Sequence, residues 1–237
     1  MENAIFITGT AKRLGLYLAA RLLKEGYPVI AHYRTKSDEL KNLEGKMFQT
    51  VYGDFENLET ITEMIATIKK ITPSLRGIIH NASYFEPTSA NLNEVVVQYR
   101  NFFNVHMLAP YLINEQLVPL LTKCDSRYAD IIHITDIFTE RPDPKFDIYS
   151  STKAGLSNLT RSFAKKYAPK IKVNEIAPGP ILFKNHSQVV IDKILTKTLL
   201  KTEGGLEPLY IAVKSVLEND YMTGSRITVD GGRTLAE

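Results

Sequence analysis

Short apolar runs alternate with stretches of helical periodicity along the chain. Residues 4–8 are β-rich and end in glycine, and residues 13–25 carry Leu14, Leu18, Leu22 and Leu23 near helical spacing before Gly26. Residues 28–33 and 47–52 are further apolar runs, the second stopped by Gly53-Asp54. The stretch 57–71 reads as a helix with Ile61, Ile65 and Ile68 on one side, and 76–80 as a fourth strand. Helical stretches at 91–106 and 108–122 precede a strand at 129–134 and a helix at 148–167. A sixth strand at 171–176, helices at 186–200 and 206–217, and a strand at 225–229 complete the pattern. Continuous apolar strands separated by helices predict a parallel sheet covered on both faces. With right-handed crossovers this is an α/β, Rossmann-type doubly wound sheet of about seven strands. No repeat or linker divides residues 1–237, so one domain is expected.

Composition narrows the functional classes. The 29 Lys and Arg against 26 Asp and Glu leave a net charge of only +3, which is no signature of a nucleic-acid partner or a polybasic membrane surface. The single cysteine, Cys124, argues against a disulfide framework and a multi-cysteine zinc site, and suggests a reducing compartment. No apolar run is long enough to span a bilayer, and Met1-Glu2-Asn3 has no basic leader region. A cytoplasmic protein that binds a small molecule and no metal is expected.

The first candidate chemistry is the turn Thr8-Gly9-Thr10-Ala11-Lys12-Arg13-Leu14-Gly15. A glycine-bearing turn from strand into helix aims free N–H groups and the positive helix end at a phosphate. Gly9 permits the tight turn, Gly15 permits close helix–strand packing, and Lys12 to Leu14 open the helix. A βα turn with no ligand gives the same two glycines. Strand two ends in Arg34 rather than in an acidic residue, which with Lys12 suits a ribose 2′-phosphate and hence NADPH, unless Arg34 is only a solvated side chain. Asp54 stands where a carboxylate accepts from an adenine amino group, and equally where a turn or helix cap would place one.

Tyr149 and Lys153 are four residues apart at the start of a helix and so share a face. A cation beside the phenol is expected to lower its pKa towards a range useful for proton transfer.

These motifs, in this order, resemble the short-chain dehydrogenase/reductase family over essentially the whole chain. Thr8-Gly9 with Gly15, Asp54, Asn81-Ala82, Tyr149 with Lys153, Pro178-Gly179, Thr223-Gly224 and Asp230-Gly231-Gly232 carry the likeness. It implies that Tyr149 handles the reaction proton and that Lys153 binds the nicotinamide ribose. It also implies that Asn81, Ala82, Pro178, Gly179 and Ile181 line the cofactor, and that the chain is a homotetramer. Residues 91–122 and 148–167 would make one dimer contact and the last strand the other.

Three departures resemble one branch of the family, the pteridine reductases. Arg13 replaces a usual glycine, Asp136 stands where a serine is usual, and His80-Asn81-Ala82-Ser83 replaces Asn-Asn-Ala-Gly. The resemblance implies an NADPH-dependent reductase of 7,8-dihydropterins, dihydromonapterin first and dihydrofolate second. Ketone or 3-oxoacyl carrier-protein reduction, and a non-enzymatic NADP sensor, are the alternatives. Phe85 would stack the pterin against the nicotinamide, with Ser83 a polar contact and Arg13 a cation bridging pyrophosphate and substrate. Asp136 would join the Tyr149–Lys153 acid relay, given a raised pKa, or accept from pterin N–H groups; water is the alternative proton source for pterin N5. Thr135 competes for that place but should point to the other face of the strand. The fourth catalytic position falls on Asn104 or His106, either holding a water or helix backbone that relays protons to Lys153, unless His106 is only a satisfied interior histidine. The segment 183–205 is expected to close over the substrate, with Lys184, Asn185 and His186 at its rim.

Overall fold

The computed structural model describes residues 1–43, 45–183 and 187–236. One all-parallel sheet of seven strands organises the chain, in the order β3-β2-β1-β4-β5-β6-β7. The strands are β1 (Ala4–Ile7), β2 (Val29–Tyr33), β3 (Phe48–Tyr52), β4 (Leu75–His80), β5 (Ala129–Ile134), β6 (Ile171–Pro178) and β7 (Arg226–Val229). This is the Rossmann-type doubly wound arrangement. Its strand order reverses between β1 and β4, where the carboxyl ends of the strands open a crevice.

The pleat divides the core. Phe6, Ile30, Ile78, Ile131 and Val173 face one side, against α3 (Leu58–Ile71), α5 (Ala109–Leu121) and α6 (Asp147–Tyr167). Ile5, Ile7, Val29, Ala31 and Ile132 face the other, against α1 (Arg13–Lys24) and α8 (Glu207–Glu218). Successive side chains alternate faces, so strands buried on both sides need the continuous apolar runs seen in the sequence. Every residue of β1 is fully buried. Each such Ile or Phe contributes about 1.5–3 kcal/mol of transfer free energy.

The helical stretches at 91–106 and 108–122 are one continuous rod. α4 (Leu92–Phe103) passes through a π-helical turn at Asn104–Leu108 directly into α5. Pro110 lies in the first turn of α5, where its missing N–H costs nothing if the turn before it is widened. The expected helix at 186–200 is shorter, α7 (Gln188–Thr196), and Lys184, Asn185 and His186 lie outside the described residues. A short helix after β2, α2 (Asp38–Lys41), has no period long enough to read in sequence. Its cap is legible: Ser37 Oγ accepts from the Leu40 N–H. Among the described residues no helix is long and apolar enough to cross a membrane.

Candidate active site

Two turns at the sheet's switch point are stitched together. Asn81, just past β4, donates through Nδ2 to the carbonyls of Thr8 and Gly9, both at 3.0 Å. The N–H groups of Asn81 and Ala82 both donate back to Thr8 Oγ1 at 3.0 Å. Gly9 has φ +71°, and a Cβ there would meet Ala82 Cα at 2.7 Å, so only glycine fits. A Cβ on Gly15 would meet the Gly9 carbonyl oxygen at 2.2 Å, which is how α1 comes so close to the turn.

This cradle fits a phosphorylated nucleotide. The first N–H groups of α1 have no intrahelical acceptor, and Lys12 and Arg13 are exposed beside them, while Leu14 is buried behind. Arg13 has φ +52°, the left-handed region that a glycine would enter freely. Arg34 is exposed at the end of β2, 3.4 Å from Glu56. Asp54 forms a turn, its Oδ1 accepting the Glu56 N–H at 3.0 Å. Pro178 ends β6, Gly179 packs so tightly on Asp230 that a Cβ would lie 2.7 Å from Asp230 Cβ, and Ile181 packs against the core on the α1 and α8 side.

The second half of the site is built from β5, α6 and the π turn. Thr135 and Asp136 point to opposite sides, as alternation along a strand requires. Thr135 Oγ1 donates to the Ile176 carbonyl at 3.2 Å, and Asp136 meets Tyr149. The Tyr149 hydroxyl donates to Asp136 Oδ2 at 2.8 Å, and the Phe138 N–H donates to Asp136 Oδ1 at 2.8 Å. Lys153 is 2% exposed and donates to the Ile134 carbonyl at 2.8 Å. Its Nζ lies 5.8 Å from the Tyr149 ring centre. Arg226, from β7, pairs with Glu140 at 3.0 Å and donates to Thr139 Oγ1 and the Asp136 carbonyl, holding the loop that carries Asp136.

Burial governs the protonation of this cluster. It pushes the Asp136 carboxyl up, against the Phe138 N–H, the Tyr149 hydroxyl and Lys153. It also pushes Tyr149 well above the usual phenol value, and the adjacent Asp136 adds to the shift. Lys153 is pushed down to about 8 by burial, opposed by Asp136. The expected lowering of Tyr149 by Lys153 is therefore reversed: loss of solvent and a neighbouring carboxylate outweigh an ammonium that makes no contact with the phenol. Burial therefore favours the protonated form of both the phenol and the carboxyl group, the direction that suits an acid rather than a base.

His106 sits in the π turn and is 1% exposed. Its Nδ1 is 2.9 Å from Thr152 Oγ1, and its Nε2 is 2.8 Å from Ser83 Oγ. Thr152 gives its own hydrogen to the Tyr149 carbonyl at 2.9 Å, so it accepts from His106 Nδ1. Burial holds the ring neutral, with Lys153 contributing, so Nε2 is bare and Ser83 donates to it. The direct hydrogen bonds of His106 therefore run to Ser83 and, through Thr152, to the Tyr149 backbone. Asn104 opens the π turn two residues earlier, on a different side of the rod.

Phe85 is 55% exposed, with one face stacked on Phe146 at 4.2 Å and its edge against Tyr149 at 4.9 Å. Phe138 completes this aromatic wall, 6.2 Å from Phe85 and 6.4 Å from Tyr149. The motif reading missed Phe138, Phe146, Thr152 and Arg226. Thr152 was within reach, since it lies between Tyr149 and Lys153; the other three meet the site only through long-range packing.

The family model described as short chain dehydrogenase matches residues 3–193. Dihydromonapterin reductase of Enterobacter sp. (strain 638) is 38% identical over 237 residues, covering 99% of this chain and 98% of the relative. Dihydromonapterin reductase of Klebsiella pneumoniae subsp. pneumoniae is 37% identical, over 98% of this chain and 96% of its own. Among solved structures, FolM alternative dihydrofolate reductase 1 from Brucella canis, complexed with NADP, matches with a TM-score of 0.84 and 26% identity. That match covers 99% of this chain and 95% of the other. Matched by the family's own model and aligned across nearly its whole length with relatives of more than a third identity, the chain belongs to the short-chain dehydrogenase family.

Proposed function

We propose that this chain is an NADPH-dependent reductase of 7,8-dihydropterins, with dihydromonapterin as its main substrate and dihydrofolate as a second. The observation that carries this reading is the Tyr149–Asp136 pair at 2.8 Å beside the half-exposed ring of Phe85, whose centre lies 4.9 Å from that of Tyr149. A ketone reductase needs only a neutral hydroxyl donor at that position. A carboxyl group with a raised pKa offers a heterocycle edge an acceptor and, when protonated, a donor as well. The relatives named dihydromonapterin reductase, and the neighbour bound to NADP, support the same assignment.

When bound, the cofactor supplies a hydride from its nicotinamide to pterin C6. The rest is work for the chain. Phe85 offers its free face to the flat pterin and fixes its orientation. The Asp136–Tyr149 pair holds the proton that N5 receives, and Lys153 holds the nicotinamide ribose and returns positive charge beside Asp136. Ser83, Arg13 and the backbone at Pro178-Gly179 and Ile181 frame the ring and the cofactor. Arg34 and Lys12 meet the 2′-phosphate, and Asp54, Asn81 and Ala82 line the adenosine side.

Leu92, Val96, Val97, Tyr99 and Phe103 leave an apolar strip exposed along α4, which supports contact between copies in a homotetramer; light scattering would measure the assembly. The deciding experiment for the activity is steady-state NADPH oxidation with dihydromonapterin, dihydrobiopterin, dihydrofolate and an acetoacetyl thioester. Faster turnover of the thioester than of every pterin would overturn the assignment.

A further inference from the structure

His32 is buried near the end of β2, 3% exposed, and takes no part in the chemistry above. Its ring joins two loops that are far apart in sequence. Nδ1 accepts the Gly9 N–H at 3.0 Å, and Nε2 lies 2.9 Å from the Gly53 carbonyl oxygen. The ring stacks flat on Phe55, with centroids 4.3 Å apart and planes inclined by 4°. The His32 carbonyl accepts twice more from the same turn, from the Thr10 N–H and Thr10 Oγ1, both at 2.9 Å.

The hydrogen bonds fix the tautomer. The Gly9 N–H requires a bare Nδ1, and the Gly53 carbonyl requires a hydrogen on Nε2. Burial lowers the ring's pKa to about 4, so the neutral form with that one hydrogen persists at pH 7. A histidine satisfied anywhere in a core would serve packing alone. This one binds the glycine of the phosphate-binding turn on one side and the loop of Gly53, Asp54 and Phe55 on the other. On the proposed cofactor reading, the first of these loops meets the phosphates and the second, through Asp54, the adenine. Thr10 and Gly9 spend their donors on His32, while the first N–H groups of α1 remain without intrahelical partners.

We propose that His32 is a positioning residue for the cofactor: as the Nε2–H tautomer it clamps the phosphate turn to the adenine loop and presets both for the nucleotide. The inference rests on the nicotinamide-cofactor reading of the site. A preset turn pays less ordering entropy on binding, so the effect belongs in affinity rather than in the hydride step.

The test is NADPH titration by nucleotide fluorescence, with steady-state kinetics, on the wild type, His32→Phe and His32→Asn. His32→Phe keeps the stack on Phe55 and removes both ring hydrogen bonds. It should weaken NADPH binding about tenfold, the effect of having to order a turn that is no longer preset. The loss should appear in KM for NADPH, with kcat at saturating cofactor within about twofold. His32→Asn retains an acceptor towards the Gly9 N–H and should recover most of the affinity. Unchanged affinity in His32→Phe, beside a wild type that binds normally, overturns this proposal alone. A wild type that binds no NADPH overturns the cofactor reading as well. Should His32→Phe fail to fold, imidazole nitrogen NMR of the wild type decides: a hydrogen on Nε2 and a resonance that moves on adding NADPH are expected. A hydrogen on Nδ1 refutes the clamp.

Discussion

Tyr149 donates to one oxygen of Asp136 while the Phe138 N–H holds the other, so the carboxyl group is fixed at both ends beside the phenol. Burial raises the pKa of both side chains and lowers that of Lys153 to about 8. A group whose pKa is raised keeps its proton to higher pH and loses it as pH rises through that value. Turnover in the reductive direction should therefore fall on the alkaline side, with an apparent pKa that belongs to the cluster rather than to one residue. Asp136→Asn removes the titrating carboxyl. It should cut kcat by about 100-fold, displace the alkaline limb, and leave NADPH affinity within about twofold. A pH–rate profile unchanged in shape would show that Asp136 does not hold the proton.

Arg34 reaches Glu56 only at 3.4 Å across an exposed surface, so the pair is weak and leaves the guanidinium available. A 2′-phosphate would take it as a charge-assisted partner. Arg34→Ala should raise the Kd for NADPH about tenfold or more and leave NADH unchanged, as read by parallel titrations. Equal losses for both nucleotides would place Arg34 away from the 2′-phosphate.

The fold was legible because both sheet faces are buried: runs such as Ile5-Phe6-Ile7 and Ile131-Ile132 can be little else than central parallel strands. The π turn was not, because whether a rod breaks or widens at Pro110 depends on what α6 packs against it. In the site, helical spacing placed Tyr149 and Lys153 near one another, and the family resemblance added Asp136. Neither gave their protonation. A cation four residues away suggests a lowered phenol pKa, but desolvation is a property of the assembled site. His32 carries no motif; its partners Gly9 and Gly53 come from different loops.

His106 connects Ser83 to the helix of Tyr149 through Thr152, and all three hydrogen bonds are 2.8–2.9 Å. His106→Leu leaves the Ser83 hydroxyl free to turn and a buried Thr152 lone pair unfilled. Stability should fall by about 1–3 kcal/mol, the cost of buried groups losing a partner, as measured by urea denaturation. The KM for the pterin should rise several-fold as Ser83 loses its orientation, while NADPH affinity holds. A stability loss with an unchanged KM would assign His106 to packing alone.

Arg13 carries a side chain at φ +52°, so the first turn of α1 holds backbone strain at the point where the phosphate cradle opens. Two substitutions separate the backbone from the guanidinium. Both Arg13→Gly and Arg13→Ala delete the cation and should weaken NADPH binding to the same extent. They differ in stability. Alanine keeps the left-handed penalty of about 1 kcal/mol and glycine escapes it. Arg13→Gly should therefore melt about 2–4 °C above Arg13→Ala. At an ordinary helical φ the order would invert, because alanine is the better helix former by about 1 kcal/mol. Thermal melts of the two variants thus read the backbone conformation of this turn, and their shared loss of NADPH affinity reads the contribution of the cation. An alanine variant more stable than the glycine one would refute the strained turn.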